Sequence, residues 1–100
     1  MTAPAVTSVT AGAWTKVATN VQDISVHAMN PTARYFWSYR DTANPAPTLA
    51  TEKVPFRDST VTITAGSGID VYVWVEATSY ITAASVRVDA GLNVTYLIDG

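Results

Sequence analysis

The sequence predicts an all-β fold: an antiparallel β-sandwich or jelly roll of about seven or eight short strands in a single domain. Three observations carry this. The chain of 100 residues holds 15 Thr and 13 Val together with five Tyr and three Trp, all types that favour strands. Leu occurs only three times, at Leu49, Leu92 and Leu97, which leaves little from which to build an amphipathic helix. Turn signals recur every 8–12 residues between short alternating stretches, the spacing of a sandwich or jelly roll.

The elements follow in order. Residues 1–5 read as an N-terminal arm. Val6–Thr10 forms a first strand ended by Ala11-Gly12, and Trp14–Thr19 a second with Asn20 as a break. Gln22–Met29 alternates Ile24, Val26 and Ala28 against Asp23, Ser25 and His27. Asn30-Pro31-Thr32 is a turn, because proline fixes φ and pushes the residue before it to extended geometry. Arg34–Arg40 places Tyr35, Trp37 and Tyr39 on one face and Arg34, Phe36, Ser38 and Arg40 on the other. Asp41–Ser59, with Pro45, Pro47 and Pro55, is a long connection of the kind that tends to carry function. Within it Leu49–Phe56 suits a short edge strand, where proline is tolerated. Thr60–Thr64 is the next strand, followed by a glycine turn at Ala65-Gly-Ser-Gly68. Asp70–Ala77, Ser85–Ala90 and Leu92–Ile98 complete the set.

Asp70-Val-Tyr-Val-Trp-Val-Glu76 is the most informative of these. Its period of two puts Val71, Val73 and Val75 on one face and Tyr72 and Trp74 on the other, so both faces are apolar. A domain of this size has room for about one core. The second face therefore needs cover from another layer of the domain or from a partner. The Tyr35/Trp37/Tyr39 face is the expected neighbour of the Tyr72 and Trp74 rings.

Charge excludes several classes. A net charge of −2 from six basic and eight acidic residues argues against a surface for nucleic acid or anionic membrane. With no cysteine there is neither a disulfide framework nor a thiolate metal site. The N-terminal residues lack a signal-peptide pattern and no apolar run reaches the ~20 residues that span a bilayer, so the expectation is a protein made in the cytoplasm and not exported by its own signal.

No motif supplies catalysis, a cofactor or a metal site. His27 is the sole histidine, and its same-face neighbours Ser25 and Asp23 point parallel to it rather than converging into a triad. The carboxylates Asp23, Asp41, Glu52, Asp58, Asp70, Glu76, Asp89 and Asp99 are scattered, with no pair singled out by spacing. Ala65-Gly66-Ser67-Gly68 lacks the Lys-Ser/Thr and the helix of a phosphate loop. Asn93-Val94-Thr95 matches a glycosylation sequon by chance. Val9-Thr-Ala-Gly12 and Ile63-Thr-Ala-Gly66 echo one another as two turns of like chemistry.

The aromatic residues remain. Large rings with polar tips are enriched among interface anchors and also stack on sugar rings. The partner-binding candidates are Tyr72, Trp74, Trp37 and Tyr39 as anchors, with Arg40 and Arg57 at the rim.

Ala11-Gly-Ala-Trp-Thr-Lys-Val-Ala18, Ile24-Ser-Val-His-Ala-Met-Asn30, the Asn44-Pro-Ala-Pro-Thr48 loop, Val71-Tyr-Val-Trp-Val75 and Ala84-Ser-Val-Arg-Val-Asp-Ala90 occur in that order. In this order and style the chain resembles small virion structural proteins of tailed bacteriophages, over about residues 10–90. The resemblance implies a non-enzymatic β-sandwich that decorates or cements a capsid, located in the virion. Its expected partners are the major capsid protein, other virion proteins or further copies of itself as a homo-oligomer. The alternatives are a glycan-binding β-sandwich module, or a tail, collar or head-fibre component.

Overall fold

A computed structural model describes residues 5–42, 44–47 and 53–90. Every element in it is a strand: β1 (Ala5–Thr10), β2 (Thr15–Ala28), β3 (Tyr35–Asp41), β4 (Val54–Pro55), β5 (Thr60–Val75) and β6 (Ala83–Ala90). The all-β class holds. The six strands join in one antiparallel sheet of order β1-β6-β2-β5-β3-β4. The radius of gyration is 13.0 Å, about that of a 100-residue domain.

Two expected breaks are not breaks. Asn20 does not end a strand, and Ala65–Gly68 is not a hairpin turn. The stretches on either side of each join into the long strands β2 and β5. Val21 pairs with Ile69 and Asp23 with Thr64, so β5 advances five residues while β2 advances two. Residues 65–68 are thus extra length inside a continuous pairing, a large bulge. Asn20 sits in a neighbouring irregularity, where β2 advances three residues from Ala18 to Val21 while β5 advances two, and its φ of 53° is a left-handed conformation that asparagine tolerates better than most residues. A Cβ on Gly68 would meet the carboxamide tip of the exposed Asn20 side chain, while the Asn20 backbone stays at ordinary contact distance.

The irregularity divides the sheet into two leaves. One comprises β1, β6, residues 23–28 of β2 and residues 60–64 of β5. The other comprises residues 15–21 of β2, residues 69–75 of β5, β3 and β4. Their inner faces meet in one core, with Val9, Ile24, Val26, Val86 and Val88 from the first leaf and Ile69, Val71, Val73, Val75 and Tyr35 from the second. Val71, Val73 and Val75 are completely buried, as their shared parity predicts.

Contacts across the core tie the leaves together. The Tyr35 hydroxyl donates to the Ser85 carbonyl on β6 at 2.7 Å and accepts from the Asn30 amide at 3.1 Å. The Gly12 amide donates to the Val75 carbonyl at 2.9 Å. The turn after β1 is thereby fixed to the far end of β5.

The edge strand expected over Leu49–Phe56 is seen at Val54–Pro55, which pairs with Phe36 and Trp37 at the rim of the sheet. Pro55 lies on that edge, where a missing amide costs least. Residues 1–4 of the expected arm, the Leu92–Ile98 strand, the Asn93–Thr95 sequon, Glu52 and Asp99 lie outside the described residues.

Candidate functional site

The rings do not share one face. In the β3–β5 register Tyr35 pairs with Val75, Trp37 with Val73 and Tyr39 with Val71. Those rings therefore stand on the valine face. Phe36 pairs with Trp74, Ser38 with Tyr72 and Arg40 with Asp70, and these stand on the opposite, outer face. The expected neighbours of Tyr72 and Trp74 are thus corrected. Parity within β3 is legible in its sequence, but which parity meets the valines depends on cross-strand register.

On the outer face, Trp74 packs edge-on against Trp14, with ring centroids 5.4 Å apart at 69°. This is the arrangement preferred by the ring quadrupoles. Cations lie over the same surface. Lys53 Nζ is 4.5 Å from the Phe36 centroid and 5.2 Å from that of Trp74. The Arg34 guanidinium is 5.5 Å from Phe36 and also bridges to Glu76 at 3.4 Å. Lys16 Nζ lies 6.0 Å from the Tyr72 ring. Each such contact is worth ~0.5–1 kcal/mol at an exposed site.

Tyr72 is 4 % exposed, so the chain itself covers this ring. Trp74 is only half-buried. Arg40 is half-buried on the same face, with Nη1 donating to the Tyr39 carbonyl at 2.9 Å. Arg57 is exposed in the segment between β4 and β5. Of the six partner candidates, the outer face thus collects Tyr72, Trp74 and Arg40, while Trp37 and Tyr39 lie on the other side of the sheet.

Beside the outer rings, Asp70 is buried where the sheet is irregular. Its Oδ1 accepts from the Asn20 amide at 3.0 Å and from the Thr42 hydroxyl at 3.1 Å, and Lys16 Nζ lies 3.5 Å from Oδ2. The Asn20 hydrogen bond, then Thr42 and Lys16, hold its carboxyl below the usual carboxylate range against the opposing effect of burial. Its role is to fasten the bend, since it satisfies the amide of the left-handed Asn20.

Trp37 and Tyr39 meet elsewhere. Their centroids are 6.3 Å apart with planes at 24°, and Tyr39 is 51 % exposed. They form one wall of an open cleft of about 470 Å³ whose other wall is β5 around Ile63, Thr64 and Ser67. A second cleft of about 520 Å³ opens at the end of the domain between the Met29–Pro31 turn and Tyr35, Phe36, Pro55 and Phe56.

His27 has partners that the sequence does not reveal. Thr60 Oγ1 lies 2.8 Å from Nδ1 and Asp89 Oδ2 lies 3.2 Å from Nε2, the two residues being 33 and 62 positions away. A carboxylate only accepts, so Nε2 carries the hydrogen, and in the neutral ring Nδ1 accepts from the threonine. The trio has the residue types of a hydrolytic triad, yet neither His27 nor Thr60 lines either cleft. It joins β2, β5 and β6. Asp89 Oδ1 and Arg87 Nε are buried beside it without hydrogen-bond partners. Among the described residues no group of three or more acidic or histidine side chains could hold a metal ion.

No family model matches the chain, and neither a curated protein nor a solved structure matches it.

Proposed function

We propose that this protein is a non-enzymatic structural component of a bacteriophage particle, of the head decoration or cement type, that docks through the outer face around Trp74. The observation that carries this reading is the state of that face. Trp14 and Trp74 are set edge-on to one another, and Lys53, just before the rim strand, lies over the Trp74 and Phe36 rings. Rings already fixed by their neighbours lose little rotamer freedom on association, so more of the buried area appears as affinity. The half-buried Trp14 and Trp74 rings, with a cation over Trp74, match the make-up of interface anchors.

The partner is the major capsid protein or a further copy of the chain. Binding only the assembled shell would stabilise that shell by mass action. A symmetric lattice repeats each contact many times, so a modest single interface can still hold the coat together. Because Tyr72 is interior, the test uses Trp74 alone. Trp74→Ser should fold normally and fail to co-sediment with particles of the phage whose genome carries this reading frame. Wild-type protein that does not co-sediment, or a folded W74S variant that binds as well as wild type, refutes the proposal.

A further inference from the structure

We infer that the cleft between the Trp37–Tyr39 pair and the bulged part of β5 is a binding site for a neutral oligosaccharide. It lies on the opposite side of the sheet from Trp74, so it is a second site rather than an extension of the docking face.

Trp37 and Tyr39 share the parity of the core valines, but the fold leaves them at its margin: Trp37 is half-buried and Tyr39 half-exposed. The two rings are stacked with their planes within 24° of one another, so each stiffens the other and the more exposed Tyr39 offers the apolar surface. The facing wall carries the Thr64 and Ser67 hydroxyls, both exposed, with buried Ile63 between the walls. Asp41, at the end of β3, adds a carboxylate.

A pyranose has matching halves. Its axial C–H groups present an apolar face to an aromatic ring, and its equatorial hydroxyls project sideways toward donors and acceptors. Stacking then holds the sugar, and Thr64, Ser67 and Asp41 orient it. Charge decides between sugar classes. Asp41 is the one ionic residue lining the cleft among the described residues, so an anionic sugar or a phosphate would meet repulsion with no compensating cation. A neutral sugar instead offers hydroxyls that the carboxylate can accept from. The volume of about 470 Å³ lies within the range of small-molecule sites, roughly 300–1,000 Å³.

The position of the cleft follows from the bulge. Residues 65–68 are the extra length in β5, and they carry Ser67 out beside Ile69 opposite the rings.

The test is a tryptophan-fluorescence titration of the intact protein with cellohexaose and with chitohexaose, since Trp37 is in the wall. Saturable binding of at least one is expected, weakened at least about tenfold in Tyr39→Ala and unchanged in Trp74→Ser. Tyr39 is half-exposed, so Y39A should keep the wild-type circular dichroism spectrum and melting profile. If Y39A is unfolded, Thr64→Val, which keeps the shape of an exposed side chain, replaces it and should weaken binding. No saturable change with either sugar overturns the inference, as does a folded Y39A that binds like wild type. Loss of particle binding in Y39A with no sugar binding by wild type also overturns it, and gives the cleft to a protein. Particle co-sedimentation of W74S is read separately, so either proposal can fail without the other.

Discussion

Removing one oxygen atom tests whether the leaves are clamped across the core as described. Tyr35 is 5 % exposed, its ring lies 5.5 Å from that of Phe56, and its hydroxyl serves two backbone groups. Tyr35→Phe keeps the ring and its packing and deletes only the hydroxyl. The Ser85 carbonyl loses the 2.7 Å bond but still accepts from the Met29 amide at 3.1 Å. The Asn30 amide loses the acceptor that the clamp supplies. One bond is therefore lost outright, and one donor is left for water to satisfy at a half-buried position. An unsatisfied buried group costs about 1–3 kcal/mol, and partial access to water brings the expected loss to ~1.5 kcal/mol. At about 4–8 °C per kcal/mol for a chain of this size, the melting midpoint should fall by roughly 6–12 °C. Urea denaturation followed by tryptophan fluorescence measures the loss directly, and the m-value should not change because the native surface is preserved. A shift below about 0.5 kcal/mol would refute the clamp, since it would equal an ordinary surface change.

Three further outcomes follow. Asp70→Asn should destabilise the protein at neutral pH, and the gap from wild type should close in acid. A carboxyl held below its ordinary value contributes stability that is present above the unfolded value near 3.8 and is lost as pH falls through the lower folded one, so denaturation curves from pH 7 down to pH 2 check the sign. Gly68→Ala should cost less than about 1 kcal/mol, because its methyl meets the far end of the exposed Asn20 side chain, which can rotate aside, and a double-mutant cycle with Asn20→Gly reads the remaining coupling. Tyr72→Ser should unfold the domain or lower its stability by about 3 kcal/mol or more, because that ring is interior, whereas Trp74→Ser should cost visibly less in the same melt.

Within a strand, the sequence is a good guide to this fold. The alternation of Asp70–Glu76 is enough to place Val71, Val73 and Val75 together in the core, and strand-forming composition is enough for the all-β class. What it hides is relational. Turn residues and bulge residues are the same residues, chosen for the same unusual dihedrals, so Asn20 and Ala65–Gly68 read as chain reversals when they are irregularities inside two long strands. A one-residue change of register moves a whole row of side chains to the other face. For that reason the side of the sheet taken by Trp37 and Tyr39 is not legible until β3 is seen beside β5. The partners of His27 come from strands 33 and 62 residues away, beyond any local pattern. In the binding candidates, ring type was legible and ring exposure was not: Tyr72 and Trp74 look alike in sequence, yet only one reaches the surface.

The two long strands also bear on how the chain acquires its fold. β2 and β5 each contribute one segment to both leaves, so neither leaf owns a complete set of strands. Pairing runs from Thr60 against His27 to Thr15 against Val73, which brings distant parts of the chain together before any contact rewards the closure. Such non-local pairing places folding in the millisecond-to-second regime typical of all-β domains. The two leaves should form and melt in one cooperative step, with the crossing of β2 and β5 at Asn20, Gly68 and Asp70 as the point where formation of one leaf commits the other.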